Sequence, residues 1–309
     1  MLSCIKQVEL QMQEGVIANS VHIKMHTCFQ DNVSLETDAG HLHLKRIHKD
    51  MIRIEHLYKS FEDKTVLKDI NATFRDGEVN LIIGQSGSGK TVLMKNIVGL
   101  LTPTSGSVYY DDRDFVSLTK REKILLRREM GMIFQSAALF DSMSVLENVM
   151  FPLDMFSDMS EPDRRKRAMD CLARVNLQGA EKKFPGEISG GMQKRVAIAR
   201  AIVLQPKSLF CDEPNSGLDP KTSIVIDELI AGITHEDKIT TIVNTHDMNS
   251  VMGIGENITF ICEGRAEWQG SNKEIMDADN KRLEDFIFAS DILRQAKMLH
   301  DQQKEAKGR

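Results

Sequence analysis

The stretch GQSGSGKT, from Gly84 to Thr91, contains the residue types that binding of a phosphate chain requires. It matches the pattern G-x-x-x-x-G-K-[ST] and lies between an apolar stretch, EVNLII, and a helical one, TVLMKNIVG. Glycines let backbone N–H groups curl around phosphate oxygens, and the N-terminus of the following helix adds partial positive charge. Lys90 is predicted to reach the β- and γ-phosphates of a nucleotide, and the Thr91 hydroxyl to bind Mg²⁺. The predicted nucleotide-binding residues of this phosphate loop are Gly84, Gln85, Ser86, Gly87, Ser88, Gly89, Lys90 and Thr91.

Two adjacent acids, Asp212 and Glu213, end the apolar stretch SLFCDE. Asp212 is predicted to hold Mg²⁺ through a water molecule, and Glu213 to be the base that polarises an attacking water. The dipeptide alone is common, so the prediction depends on the apolar strand before it and on the phosphate loop upstream.

His246 directly follows another apolar stretch, TIVNT. A single histidine after a strand is more often incidental than catalytic. Its position where a predicted strand ends, just before Asp247, nevertheless makes His246 a candidate catalytic residue.

The segments that carry these residues alternate between strand and helix patterns. The predicted strands are IRIEHL, VLKDINATF, EVNLIIG, SGSVYY, PKSLFCDEP and ITTIVNTH, followed by a hairpin in ITFICEGRAEWQG. The predicted helices are TVLMKNIVG, TKREKILLRREM, about 161–175, and Pro220 to about Ile233. This alternation predicts an α/β core with a largely parallel sheet.

Composition narrows the class of protein. The chain has 309 residues, 28% charged and 41% hydrophobic, with a net charge of −5, enough for one large globular domain or two small ones. The near balance of charge argues against a dedicated nucleic-acid binder. Five cysteines without a CxxC pair indicate a reduced, cytosolic chain. No apolar run reaches the roughly 18 residues that a membrane span needs, so a membrane role would require a partner.

The order of the motifs resembles that of the ATP-binding subunits of ABC transporters. The phosphate loop is followed by FQ, ISGGMQKR, FCDEP, SGLDP and NTHD, and the resemblance covers about Met51 to Gly270. It implies an ABC-type P-loop ATPase of the α/β class, with a RecA-like core, a small antiparallel sheet and a helical subdomain. ATP and Mg²⁺ are the implied ligands.

The resemblance also implies roles for particular residues. In this family the Ser-Gly-Gly loop contacts the γ-phosphate of ATP that the opposite subunit holds, which points to Ser189, Gly190 and Gly191. Gln135 corresponds to the family residue that lies close to Mg²⁺ and the attacking water and also contacts the membrane partner. The remaining implied residues are Asp219 of the D-loop, His246 near the γ-phosphate and Phe61 stacked on adenine.

One branch of the family is a closer match. Most members have Gln after Ser-Gly-Gly, whereas this chain has Met192. With AALFDSMSVLENVMFPL after Gln135, this methionine resembles the phospholipid-trafficking branch, the MlaF-like ATPases of Mla and Mce systems. Asn215, where Thr is frequent, and Ile188, where Leu is frequent, are mild departures.

Three regions are expected: a poorly ordered N-terminal extension (1–50), the ATPase domain (51–270, with the helical subdomain at about 122–205) and a charged helical C-terminal tail (271–309). The resemblance implies a second copy of the chain and an integral membrane permease as partners, with an Mce-type lipid-binding protein as a further candidate and no nucleic acid. It implies a peripheral location at the cytoplasmic face of the inner membrane.

Two other functions stay open at this stage. One is a soluble ABC ATPase without a permease; the apolar segment after Gln135, suited to receiving a membrane partner, argues against it. The other is the ATPase of a small-solute importer, many of which carry an added regulatory domain. Neighbouring genes for a permease and a lipid-binding Mce protein would distinguish phospholipid transport from both.

Overall fold

The structure, a computed structural model, describes residues 33–38, 41–46, 50–289 and 291–307. Its contacts divide the chain into two units, Met1–Lys49 and Asp50–Arg309. In the first unit, β1 (Val33–Asp38) and β2 (His41–Arg46) pair antiparallel. The prediction of poor order in the N-terminal extension falls mostly on residues outside the described ones.

Two sheets make up the strand framework of the second unit. In chain order its strands are β3 (Asp50–Phe61), β4 (Lys64–Arg75), β5 (Val79–Ile83), β6 (Ser105–Tyr110), β7 (Arg113–Asp114), β8 (Met130–Ile133), β9 (Ser208–Asp212), β10 (Thr240–Asn244), β11 (Asn257–Cys262) and β12 (Arg265–Gly270). The larger sheet has the order β12-β11-β5-β10-β9-β8, and all its pairs are parallel except β11 with the edge strand β12. The smaller sheet, β4-β3-β6-β7, is antiparallel. The predicted α/β fold, with a largely parallel sheet and a small antiparallel one, is confirmed.

Helices connect and cover these strands. They are α1 (Lys90–Ile97), α2 (Lys120–Arg127), α3 (Val145–Phe156), α4 (Glu161–Arg174), α5 (Gly190–Ile202), α6 (Pro220–Asp237), α7 (Met248–Ile254), α8 (Lys281–Ile287) and α9 (Asp291–Lys307). Capping residues start several of them: Thr119 and Glu122 form a reciprocal capping box at α2, and the Ser160 side chain caps α4. Within the described residues, no helix combines the length and the apolar character needed to cross a membrane.

The larger sheet separates two hydrophobic clusters, because successive side chains of a strand point to opposite faces. Leu81 and Ile83 of β5 belong to the cluster that includes α3, α4, α5 and α6. Ile82, between them, belongs to the other cluster, with α1 and the smaller sheet. Every residue of β5 is buried, as expected of a strand covered on both faces. The central strands are therefore rigid supports for the loops that follow them.

Tertiary pairing changed some predicted boundaries. The helix predicted for TKREKILLRREM ends at Arg127, because the next residues begin β8 at Met130 and pair with β9. Neither β8 nor α3 was predicted, although Ser144 and Glu147 form a capping box at α3. Helix α6 continues past Ile233 to Asp237.

Candidate functional site

The phosphate loop begins where β5 leaves the larger sheet. Gly84 has φ 149°, and a Cβ there would lie 2.1 Å from the Ile261 carbonyl oxygen. Gly89 has φ 110°, and its Cβ would lie 2.8 Å from the Leu67 side chain. Only glycine fits such positions without displacing a neighbour. The loop backbone therefore has no side chain where it leaves β5, at Gly84, or where it enters α1, at Gly89.

Lys90 is buried at the start of α1, with its ammonium group directed back at the loop. Its Nζ donates to the carbonyl oxygens of Gly84, at 2.7 Å, and Gln85, at 3.1 Å. Burial lowers the pKa of Lys90, and the nearby carboxylates of Glu213 and Asp212 act in the opposite direction. A phosphate group brought to this loop would therefore meet a partly desolvated positive charge.

The hydroxyl of Thr91, on α1, faces the carboxylate of Asp212 at the end of β9. Thr91 Oγ1 donates to Asp212 Oδ1 at 3.5 Å, and Asn244 Nδ2 donates to the same oxygen at 3.0 Å. Asn244 is at the end of β10, the strand between β5 and β9. The parallel order of the strands thus brings three polar groups to one sheet edge.

The Thr91 hydroxyl and the Asp212 carboxylate are oxygen donors of the kind that bind Mg²⁺. Mg²⁺ is usually bound through one or two carboxylates together with substrate phosphates and water, rather than by a cage of protein ligands. Among the described residues there is no group of three or more His, Cys, Asp or Glu side chains arranged for a metal ion. Thr91 and Asp212, beside a loop built for phosphate, are the donors that such a shared site needs.

Glu213 is held by two of the residues predicted to act with it. Gln135 Nε2 donates to Glu213 Oε2 at 3.1 Å, and His246 Nδ1 lies 3.2 Å from Oε1. Gln135 also donates to Ser216 Oγ at 3.2 Å. Glu213 has φ 47°, an uncommon conformation for a residue with a side chain. The carboxylate is thereby fixed at the edge of the cleft instead of rotating freely in solvent.

A cleft of about 590 Å³ joins the phosphate loop to these groups. Its lining includes Lys90, Thr91, Glu213 and His246, all predicted from the sequence. The cleft therefore contains a positive charge, hydrogen-bond donors and a candidate base, and it is large enough for the phosphates of a nucleotide. These are the groups that phosphoryl transfer to water requires.

Three apolar residues that were not predicted, Val66, Val92 and Phe286, also line this cleft. Val66 of β4 and Phe286 of α8 are both part of its wall, and Phe286 stacks on Phe260 with ring centroids 5.4 Å apart. No local pattern marks Phe286, because its position depends on how α8 packs against β11. Phe61 is not in this lining; it is 42% exposed, with Lys59 Nζ 5.0 Å from its ring centre.

The Ser-Gly-Gly loop lies at the start of α5, outside the cleft formed by the phosphate loop. The Ser189 hydroxyl accepts a hydrogen bond from the Met192 backbone N–H at 3.3 Å, which caps the helix. A Cβ on Gly191 would lie 2.7 Å from Thr222 of α6, so α5 and α6 approach closely there. Ser189 and Gly190 are exposed. The loop is thus presented outward, where a second molecule can reach it.

Asp219 caps its own helix. Its Oδ1 accepts from the Thr222 backbone N–H at 3.0 Å, and its Oδ2 accepts from the Thr222 hydroxyl at 2.5 Å. The Thr222 hydroxyl bond is the main reason that the pKa of Asp219 is lowered. The side chain therefore orients the start of α6, at the end of the loop that follows Glu213.

A cluster of hydrogen-bonded polar side chains, formed by Asn215, Asp227 and Ser250, was not predicted from the sequence. Asn215 Nδ2 donates to Asp227 Oδ1 at 2.8 Å, and the Ser250 hydroxyl donates to Asp227 Oδ2 at 2.7 Å. Burial raises the pKa of Asp227. The asparagine in PNSGLDP was the available signal, since it departs from the frequent threonine. This group ties the loop after Glu213 to α6 and α7.

Comparison with known proteins shows which family the chain resembles. The family model described as ABC transporter matches residues 67–216. The chain is 38% identical over 256 residues to Protein TRIGALACTOSYLDIACYLGLYCEROL 3, chloroplastic, of Arabidopsis thaliana, covering 78% of this chain and 74% of that one. It is 34% identical over 241 residues to the intermembrane phospholipid transport system ATP-binding protein MlaF of Haemophilus influenzae, covering 78% and 91%. Methionine import ATP-binding proteins are also among its relatives.

A third relative is longer than this chain. The probable ribonucleotide transport ATP-binding protein mkl of Mycobacterium tuberculosis is 37% identical over 236 residues, which is 76% of this chain and 66% of that protein. The aligned part therefore spans about two thirds of the mycobacterial protein.

A solved structure has the same cassette fold. The dimeric structure of a post-hydrolysis state of the ATP-binding cassette MJ0796 bound to ADP and Pi matches with a TM-score of 0.66 and 35% identity, covering 72% of this chain and 99% of that one. The fold, the order of the motifs and the relatives all indicate the same family. The chain belongs to the family of ABC transporter ATP-binding proteins and is an ATPase of that family.

Proposed function

We propose that this chain is the ATP-hydrolysing subunit of an ABC transporter that moves phospholipid between membranes. The observation that carries the hydrolytic part is Glu213, held by Gln135 and His246 at the edge of the cleft that Lys90 and Thr91 line. The lipid part is supported by the names of the MlaF and Arabidopsis relatives and by Met192 in the Ser-Gly-Gly loop.

Hydrolysis follows from the positions of these groups. The loop N–H groups and Lys90 bind the phosphate chain, and Glu213 orients and polarises the water that attacks the γ-phosphate. Gln135 and His246 keep the Glu213 carboxylate in place, and His246, which lines the same cleft, would also stabilise charge on the γ-phosphate. Mg²⁺ bound by Thr91 and Asp212, with Gln135 nearby, would neutralise charge on the phosphate oxygens.

The complete site is proposed to form between two copies of the chain. Ser189, Gly190 and Gly191 are outside the cleft of their own chain and at the exposed start of α5. A helix N-terminus with a serine hydroxyl is suited to contact the γ-phosphate that a second copy holds. Phe61 would stack on adenine, and Asp219 would hold the D-loop against the partner. The dimeric cassette MJ0796 supports this arrangement.

Mixing two inactive variants tests the shared site. At an ATP concentration well below the dissociation constant of Lys90→Ala, the phosphate loop of that variant stays nearly empty. Ser189→Arg blocks the loop that serves the opposite copy. In a mixed dimer one site carries both defects and the other carries none, so mixing should restore activity to roughly a quarter of wild type if pairing is random. Phosphate release is the measurement. Continued inactivity of the mixture, with mixed dimers shown to form, would contradict a site shared between copies.

A permease is the proposed membrane partner. Beside Gln135 is an apolar groove of about 450 Å³. Its lining includes Phe134, Phe140, Phe151 and Phe156. Phe134, Phe140 and Phe156 are 39–47% exposed, which is unusual for large apolar side chains in contact with water alone. Through this groove the chain would sit peripherally at the cytoplasmic face of the inner membrane, and an Mce-type lipid-binding protein is the proposed further component.

Purification of the full chain from its native membrane tests the transport proposal. We expect a permease, an Mce-type protein and phospholipid to co-purify. A solute-binding protein in their place would support the second candidate, a small-solute importer, which the methionine-import relatives favour. Recovery without any membrane subunit would support an ABC ATPase that works without a permease.

Met192 is expected to tolerate replacement by glutamine. Its side chain is partly buried and packs on the larger hydrophobic cluster, while its backbone N–H makes the bond to Ser189. Glutamine has similar length and retains that backbone bond, and a neutral hydrogen bond is worth about 0.5–1.5 kcal/mol. Met192→Gln should therefore change the kcat for ATP hydrolysis less than about tenfold. Loss as severe as that of Ser189→Arg would instead place Met192 in the chemistry.

A further inference from the structure

Lys194 is a buried charged residue on α5 that no part of the mechanism above uses. It is 6% exposed, and its Nζ donates to the backbone carbonyl of Gln135. Lysine is rarely this buried unless it is paired. Burial lowers its pKa, and the charge of the Glu213 carboxylate acts in the opposite direction. The ammonium group is therefore held at the backbone of Gln135.

A second cation on the same helix holds the residues that follow Gln135. Arg200 donates to the carbonyl oxygens of Ala137 and Ala138, both at 2.8 Å. These alanines have φ 61° and 48°, a left-handed conformation that is unfavourable for any residue with a Cβ. Two such residues in succession persist only when their surroundings hold them. Helix α5 thus fixes the backbone at Gln135 itself and again just after Ser136, the next residue in the chain.

The other end of Gln135 reaches the reacting group. Its side-chain amide donates to Glu213 Oε2 at 3.1 Å, while its carbonyl accepts from Lys194. Helix α5 begins at Gly190, directly after Ser189. A continuous series of contacts therefore runs from the Ser-Gly-Gly loop, through Lys194 and Gln135, to the carboxylate on the same chain.

We infer that Lys194 is a positioning residue for ATP hydrolysis. By holding the Gln135 carbonyl, it sets the backbone from which the Gln135 amide reaches Glu213, and it makes that amide follow any movement of α5. The inference rests on the proposed roles of Gln135 and Glu213. In the proposed dimer, α5 presents the Ser-Gly-Gly loop to the nucleotide that the partner copy holds. The inference adds that the same helix also positions Glu213, the base for the nucleotide that its own chain holds.

The test compares single and double variants of the full-length chain. Lys194→Met removes the charge and the donor while keeping the length of the side chain, and is expected to lower kcat about tenfold with less than about a twofold change in the KM for ATP. Lys194→Arg, which keeps both, should restore most of kcat. Lys182→Met, at an exposed lysine in the same subdomain, is the matched control and should leave kcat unchanged.

The Gln135→Ala background distinguishes positioning from general stability. If Lys194 acts through Gln135, adding Lys194→Met to Gln135→Ala should change kcat less than about twofold, because the residue it positions is already gone. An undiminished tenfold loss in that background would overturn the inference, as would an unchanged kcat in Lys194→Met alone. Thermal unfolding and ATP binding establish that each variant is folded; should Lys194→Met not fold, Lys194→Gln takes its place in every comparison.

The result also separates this inference from the proposed function. A wild-type chain that hydrolyses no ATP would overturn the proposed function and this inference with it. Wild-type hydrolysis together with an unaffected Lys194→Met variant would overturn the inference alone.

Discussion

Glu213→Gln is expected to bind ATP and to hydrolyse it about 10²–10⁴-fold more slowly than the wild-type chain. Glutamine keeps the size of the side chain and can still bond to Gln135 and His246, but it cannot act as a base. The phosphate loop, Lys90 and Thr91 are unchanged, so nucleotide affinity should be preserved. Single-turnover phosphate release and ATP binding measure the two effects separately, and ATP-bound dimers should accumulate in size-exclusion chromatography.

Glu228→Gln is the matched control, since Glu228 is an exposed glutamate on α6. It should retain wild-type turnover. Near-wild-type turnover by Glu213→Gln would remove Glu213 from the catalytic role and would leave the base to be found among the other groups at the cleft.

Lys90→Ala should weaken ATP binding itself. A hydrogen bond to a charged group contributes about 1.5–3 kcal/mol, so its loss corresponds to a rise in the ATP dissociation constant of roughly 10–100-fold. The fold should be largely retained, because burial already opposes the charged form of Lys90. Titration with ATP and thermal unfolding without nucleotide are the measurements.

Lys95→Ala provides the comparison on the same helix, because Lys95 is exposed on α1. It should leave both ATP affinity and the unfolding midpoint unchanged. An unaltered dissociation constant in Lys90→Ala would show that the lysine does not hold the phosphates, whereas a large fall in its unfolding midpoint would assign Lys90 a structural role.

Much of this site was determined by local sequence. The glycines of the phosphate loop are required by positive φ angles at Gly84 and Gly89, and the apolar runs before Gly84 and before Asp212 become buried parallel strands. The helix caps at Thr119 and Ser160 likewise depend on residues within one turn of the chain. Backbone conformation, strand burial and helix capping depend on neighbours within a few residues, so the sequence alone specifies them.

Tertiary structure decided which groups meet. Gln135 and Glu213 are 78 residues apart and touch only because β8, whose pairing overrides the predicted helix, lies beside β9. The same holds for Phe286, which enters the cleft as α8 packs, and for Asn215, which bonds Asp227 on another element. Each of these contacts depends on strand order and on the packing of separate elements. No periodicity or spacing within a segment carries that information, and so these contacts became visible only in the folded chain.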